Sequence, residues 1–108
     1  MTRPVAYGYM RVTRDMEDEE AWLIENRIRE YAQDQGLELR ETHYEYDDRL
    51  TNVAALLSFT WYHKAEHIIV PSLAQITNHY ANQAAVALAI TIDARATLHN
   101  VSGEPRGL

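Results

Sequence analysis

The chain has 108 residues, 46% of them hydrophobic and 24% charged, with a net charge of −6 and no cysteine. This length and balance predict a single domain over 1–108 and exclude a disordered or collagen-like chain. Without cysteine there are no disulfides, thiolate metal sites or cysteine nucleophiles, which fits a reducing, cytoplasmic setting, and an acidic chain is a poor DNA binder on its own.

Residues 4–10 predict a strand, in which Val5, Tyr7 and Tyr9 alternate with small residues and Gly8 permits close packing. Residues 18–35 predict a helix carrying Trp22, Leu23, Ile24, Ile28, Tyr31 and Ala32 at helical spacing, stopped by Gly36. Asp15, Glu17, Asp18, Glu19 and Glu20 crowd its start, as in a well-capped, solvated first turn favoured by the helix dipole. Residues 37–45 predict a second strand, 47–52 a loop, and 53–64 a second helix with Leu56, Leu57, Phe59 and Trp61. His67, Ile68, Ile69 and Val70 form a short buried strand ended by Pro71. Asn78 is expected to cap a third long helix reaching about residue 93, and 95–100 is a last strand before a turn-rich tail. The alternation implies an α/β, three-layer domain: a mainly parallel sheet of about four strands flanked by helices. Its ligand loops gather at the carboxyl ends of the strands, at 11–17, 45–52 and 71–78.

Charge is unevenly placed. Residues 1–50 hold 13 acids and 7 bases, and residues 51–108 hold 3 of each. Glu45, Asp47 and Asp48 form a second acidic cluster, whereas residues 67–92 carry no charge at all. That run is no membrane span: Gln75, Asn78, His79, Asn82 and Gln83 interrupt it, and its apolar part falls short of the roughly 18–20 residues required. As a helix it is apolar nearly all round. Tyr80, Ala84, Ala87, Leu88 and Thr91 repeat along one face while Ala85, Val86, Ala89, Ile90 and Ile92 fill the others. Either a second copy or another protein covers the first face, or neighbouring helices and the tail do.

Other candidates carry less. His63 and His67 have a helical metal-ligand spacing, but His67 opens a strand, so a packed or solvated pair is the plainer reading and no metal site is expected. Ser72 lacks a nucleophile elbow and reads as a turn or helix-start serine. The four isolated glycines make no phosphate-binding loop, and no cofactor is implied. The tyrosines and tryptophans have no interleaved basic residues, so they read as core and interface packing.

Gly8-Tyr9-Met10-Arg11-Val12-Thr13, followed by a helix containing Arg29-Glu30-Tyr31-Ala32 and ending at Gly36, resembles the catalytic domain of the serine recombinases, the resolvases and invertases. The resemblance covers nearly all of residues 4–101, by motif at the start and by element order afterwards. It implies a resolvase-like fold, and a site in which a serine attacks a DNA phosphodiester and joins the 5′ end while arginines neutralise the phosphate. Arg11 keeps its place, but Thr13 stands where the family has serine. After the third strand the family has an acid and two arginines. Here the run is Leu73-Ala74-Gln75-Ile76-Thr77-Asn78, so Ala74, Gln75 and Asn78 occupy the lost positions. The remaining family arginine corresponds to Arg49, or to Asn52 on an ungapped count back from Leu73. Neither the family's long dimerising helix nor its helix-turn-helix domain follows in the sequence. The expectation is a catalytically inactive recombinase-like domain, with Arg11, Thr13 and Arg49 as vestiges, acting as a self-associating interaction or regulatory module. The alternative is an active DNA recombinase with Thr13 as nucleophile.

Overall fold

A parallel strand covered on both faces shows continuous rather than alternating burial, and β1 (Val5–Arg11) is buried at every residue from Ala6 to Arg11. The structure, a computed structural model, describes residues 2–46, 53–72, 85, 87, 89–91 and 95–102, with 53–55 described by backbone alone. β1 lies between β2 (Glu38–Glu45) and β3 (His67–Val70), and β4 (Thr97–Asn100) completes the order β2-β1-β3-β4, with every pairing parallel. The expected α/β sheet of four strands is the one observed, with the ends of the strands and of the first two helices within two residues of those predicted.

Helices cover the two faces. α1 (Asp18–Asp34) sets Ile28 and Ala32 against Ala6, Met10 and Ile69. On the other face α2 (Val53–His63) sets Leu56 and Phe59 against Tyr7, Tyr9, Ile68 and Val70. Ile90 is buried in that second cluster, and residues 85, 87 and 89–91 are helical, as the third helix requires; the rest of the 78–93 segment lies outside the described residues. No helix among the described residues is long and apolar enough to cross a membrane.

Three sequence expectations are corrected. Trp22 and Leu23 do not belong to the inward stripe of α1: they are 57% and 49% exposed, and Ala21, Ile24, Ile28, Tyr31 and Ala32 pack inward instead. These five fill the roughly 100° that a surface helix buries, leaving no room for two bulky residues beside them. Trp61 is likewise exposed on α2, so the tryptophans are not core residues. Finally, Glu17 takes the N-cap position without a side-chain capping bond, so the acids of the first turn act on the helix through its dipole alone.

Both helices end by the same device. Gly36 adopts φ +70°, the Leu37 amide donates to the Ala32 carbonyl at 2.8 Å, and the Gly36 amide donates to Gln33 at 3.1 Å. After α2 the corresponding bonds run from Ala65 to Thr60 and from Lys64 to Trp61, both at 3.1 Å, with Lys64 at φ 50°. The left-handed residue of this motif is usually glycine, because a side chain there costs about 1–2 kcal/mol. Gly8 is needed for space: a Cβ there would lie 2.6 Å from Thr42 Oγ1 and 3.0 Å from Ile28 Cγ2.

Candidate functional site

The strand order locates a crevice. From β1 the chain crosses to β2 on one side, then returns past β1 to β3 on the other. At such a switch point the connections leave the carboxyl ends of the strands in opposite directions, and open α/β sheets bind ligands there. Residues 12–17 follow β1 at this end, and Pro71 and Ser72 follow β3.

Alternation along β1 puts Tyr7, Tyr9 and Arg11 on the face toward α2, and Ala6, Gly8 and Met10 on the face toward α1. Arg11 is the last residue of β1, only 7% exposed, and level with Glu45 in the strand register. The same alternation in β2 gathers Glu41, His43 and Glu45 on the α2 side. The Tyr9 hydroxyl donates to Glu45 Oε2 at 3.3 Å, and His43 Nε2 lies 3.6 Å from the same oxygen. The His43 ring stacks on Tyr9 with centroids 5.1 Å apart. From α2, Phe59 closes the layer, 5.0 Å from His43 and 4.3 Å from His63, and His63 Nε2 is 3.8 Å from Glu41 Oε1.

The start of the first loop is fixed by backbone. The Val12 amide donates to the Glu45 carbonyl at 2.8 Å, and the Thr13 carbonyl accepts from Met16 at 3.2 Å, which folds residues 13–16 into a turn. Thr13 is half-buried, while Asp15 and Glu17 are exposed beside it. Chemically, this end of the sheet offers a buried guanidinium, suited to carboxylate or phosphate oxygens, and a hydroxyl two residues further on. It also carries an acid, Glu45, at the neighbouring register position, and a carboxylate there opposes a second anion. A second polar link lies on the α1 side of β2. Tyr44 donates to Glu25 at 2.5 Å, and that bond, aided by burial, pushes the Tyr44 hydroxyl up to about 12.

The structure thus describes two of the predicted site residues, Arg11 and Thr13, at one strand end. Arg49, Asn52, Ala74, Gln75 and Asn78 lie outside the described residues, as do Asp47 and Asp48. Of the predicted interface, Tyr80, Ala84 and Leu88 also lie outside. Ala87 is half-buried, and Thr91 is exposed, its hydroxyl donating to the Ala87 carbonyl at 2.9 Å. No group of three or more metal-ligating side chains occurs among the described residues, and His63 packs on Phe59 and Tyr7. Sequence reasoning missed the Tyr9–Glu45–His43 cluster. Its signal was present in the period of two that aligns His43 with Glu45, but the register against Tyr9 was not.

No protein-family model matches the chain, and no curated protein matches it by sequence. Solved structures do. The C-terminal catalytic domain of ISC1926 TnpA, an IS607-like serine recombinase, superposes with a TM-score of 0.70 at 13% identity, over 90% of this chain and 70% of that one. The N-terminal catalytic domain of TP901-1 integrase superposes at 0.68 and 13%, over 91% of this chain and 77% of that one. At this identity the likeness is one of fold: the chain has the fold of the serine recombinase catalytic domains.

Proposed function

We propose that this domain has given up DNA strand cleavage and works as a protein-interaction or regulatory module. The observation that carries the reading is Glu45, bonded to Tyr9 and ending β2 at the register position of the buried Arg11, so that an acid already stands at the strand end the arginine would offer to a phosphate. Thr13 in place of serine adds a methyl that restricts the hydroxyl rotamer and crowds an in-line attack. Gln75 and Asn78 stand where the resemblance puts arginines, so two cationic donors are absent from the sequence that follows β3. Losing one transition-state donor typically costs about 2.7–4 kcal/mol, so two imply about 6 kcal/mol or about four decades in rate. On this reading Arg11, Thr13 and Arg49 are vestiges.

The domain associates with a second copy through the helical face of Tyr80, Ala84, Ala87, Leu88 and Thr91, in the cytoplasm and without binding DNA by itself. The exposure of Thr91 beside buried Ile90 supports an outward direction for that face. Sedimentation equilibrium should give a dimer for the wild type and a monomer for Leu88→Asp. A wild type that stays monomeric at high concentration removes the self-association.

A second reading has an observation in its favour. Both solved domains named above are catalytic domains, and Arg11 is retained. On that reading Thr13 is the nucleophile of a DNA recombinase. A covalent adduct with a nicked suicide DNA, present in the wild type and absent in Thr13→Val, would establish it and overturn the first.

A further inference from the structure

On the α1 side of the sheet, far from Arg11 and Glu45, three elements meet in one chain of rings. The Tyr31 hydroxyl of α1 lies 2.9 Å from His99 Nδ1 in β4, and His99 Nε2 lies 2.9 Å from His67 Nδ1 at the start of β3. The two imidazole centroids are 5.1 Å apart. His99 is opposite Ile69, so the histidines sit diagonally across the strand pair, and Tyr31 reaches them from above. β4 is an edge strand of this sheet, and these bonds tie it to both its neighbour and its covering helix.

The proton count of this chain is restrictive. With both rings neutral, Tyr31 donates to His99 Nδ1, His99 donates from Nε2 to His67 Nδ1, and His67 keeps its proton on Nε2. One added proton is accommodated on His67, which then donates from Nδ1 to His99 Nε2, while neutral His99 carries its one proton on Nδ1 and donates it to the Tyr31 oxygen. A second proton puts N–H groups on both sides of a 2.9 Å gap and a positive charge on both rings. That arrangement has no acceptor between the rings, so the gap must open.

We propose that Tyr31, His99 and His67 form a proton-operated latch that holds edge strand β4 to β3 and α1, closed with no more than one added proton and opened by the second. The surroundings support it. Burial, and then the charge of His67, hold His99 below the usual imidazole range, and burial pushes the Tyr31 hydroxyl up, so it keeps its proton. Tyr31 faces the pair from α1. Arg27 and Asp34, on the same flank a turn to either side, are exposed. Glu66, just before β3, meets β4 through its backbone oxygen, which accepts from the Thr97 amide at 2.9 Å. Because the folded state holds His99 less readily protonated than the unfolded chain, its contribution is intact above the ordinary pKa of 6.5. It is lost as pH falls through the lowered folded value.

The test is a pH titration of the whole chain, reading imidazole nitrogens by NMR and amide hydrogen exchange on the same sample. The histidine pair should take up its two protons in separate steps, the second of them on His99 below the ordinary imidazole range. Across the second step, protection of the Thr97 and Val101 amides, which bond Glu66 and Val70, should fall about tenfold per pH unit. The Val12 and Glu38 amides, which bond Glu45 and Pro4 in the other half of the sheet, should hold. His67→Gln should abolish the acid-dependent loss at β4. Independent single-step titration of the two rings, or β4 protection unchanged through the second step, overturns the latch. If His67→Gln does not fold, the wild-type titration decides alone.

Discussion

The sheet presents two unlike faces. Under α1 the centre is mainly aliphatic: Ala6, Met10, Ile28, Ala32 and Ile69 interlock around Gly8, with the small Thr42 hydroxyl beside it, and the larger polar groups lie at the rims, as Tyr44 with Glu25 and Tyr31 with the histidine pair. Under α2 the sheet carries Tyr7, Tyr9, Arg11, His43 and Glu45, with Phe59 and His63 laid over them. The first face excludes water around shapes that leave no slack. The second buries rings whose edges remain able to exchange protons and bind charge. The difference teaches where stability and chemistry divide in this fold, and it can be broken at specific residues.

The largest effect is expected on the aliphatic face. Ile69→Ala removes a fully buried side chain and should cost about 2–5 kcal/mol in urea unfolding. Gly8→Ala should cost about 1–3 kcal/mol, because its Cβ meets the stiff β-branched Thr42 and Ile28. On the other face Tyr9→Phe keeps the ring and removes one bond to Glu45, for about 0.5–1.5 kcal/mol. Should Tyr9→Phe cost as much as Ile69→Ala, the division between the faces would collapse.

Smaller effects sharpen it. Lys64→Gly relieves the left-handed strain at the end of α2 but loosens the unfolded chain, for a net gain of about 0.5–1 kcal/mol in thermal unfolding. At the rim of the aliphatic face, Tyr44 is raised from 10 to about 12 by its bond to Glu25, with burial adding to it. A raised folded-state pKa means that its contribution is present below about 10 and lost as pH rises through 12. An ultraviolet titration should therefore show Tyr44 ionising later in the wild type than in Glu25→Gln.

Element order, and with it the parallel sheet, was legible because strand-length apolar runs alternate with helix-period segments and Gly36 punctuates them. The identity of the inward residues was less so. Trp22 and Leu23 fit a helical period, but an apolar period shared by seven neighbouring positions does not say which five a sheet will cover. The strand end holding Arg11 and Thr13 was legible as a local motif. Its partners were not: Glu45 lies 36 positions from the Tyr9 hydroxyl it accepts, and His99 lies 32 from His67. Such pairs depend on strand register, which is set by packing in three dimensions and leaves no local trace.

The central place of β1 has a consequence for the life of the chain before it is folded. β1 is synthesised before both its neighbours, yet Ala6, Tyr7 and Gly8 find their second neighbours only when His67, Ile68 and Ile69 arrive about sixty residues later. β2 can dock early on one edge, but the other edge of an apolar strand stays open throughout that interval. Long-range parallel pairing is slow, and an open strand edge invites pairing with other chains. The interval between the synthesis of β1 and that of β3 is therefore when this chain is most exposed to aggregation, and a chaperone would matter most there.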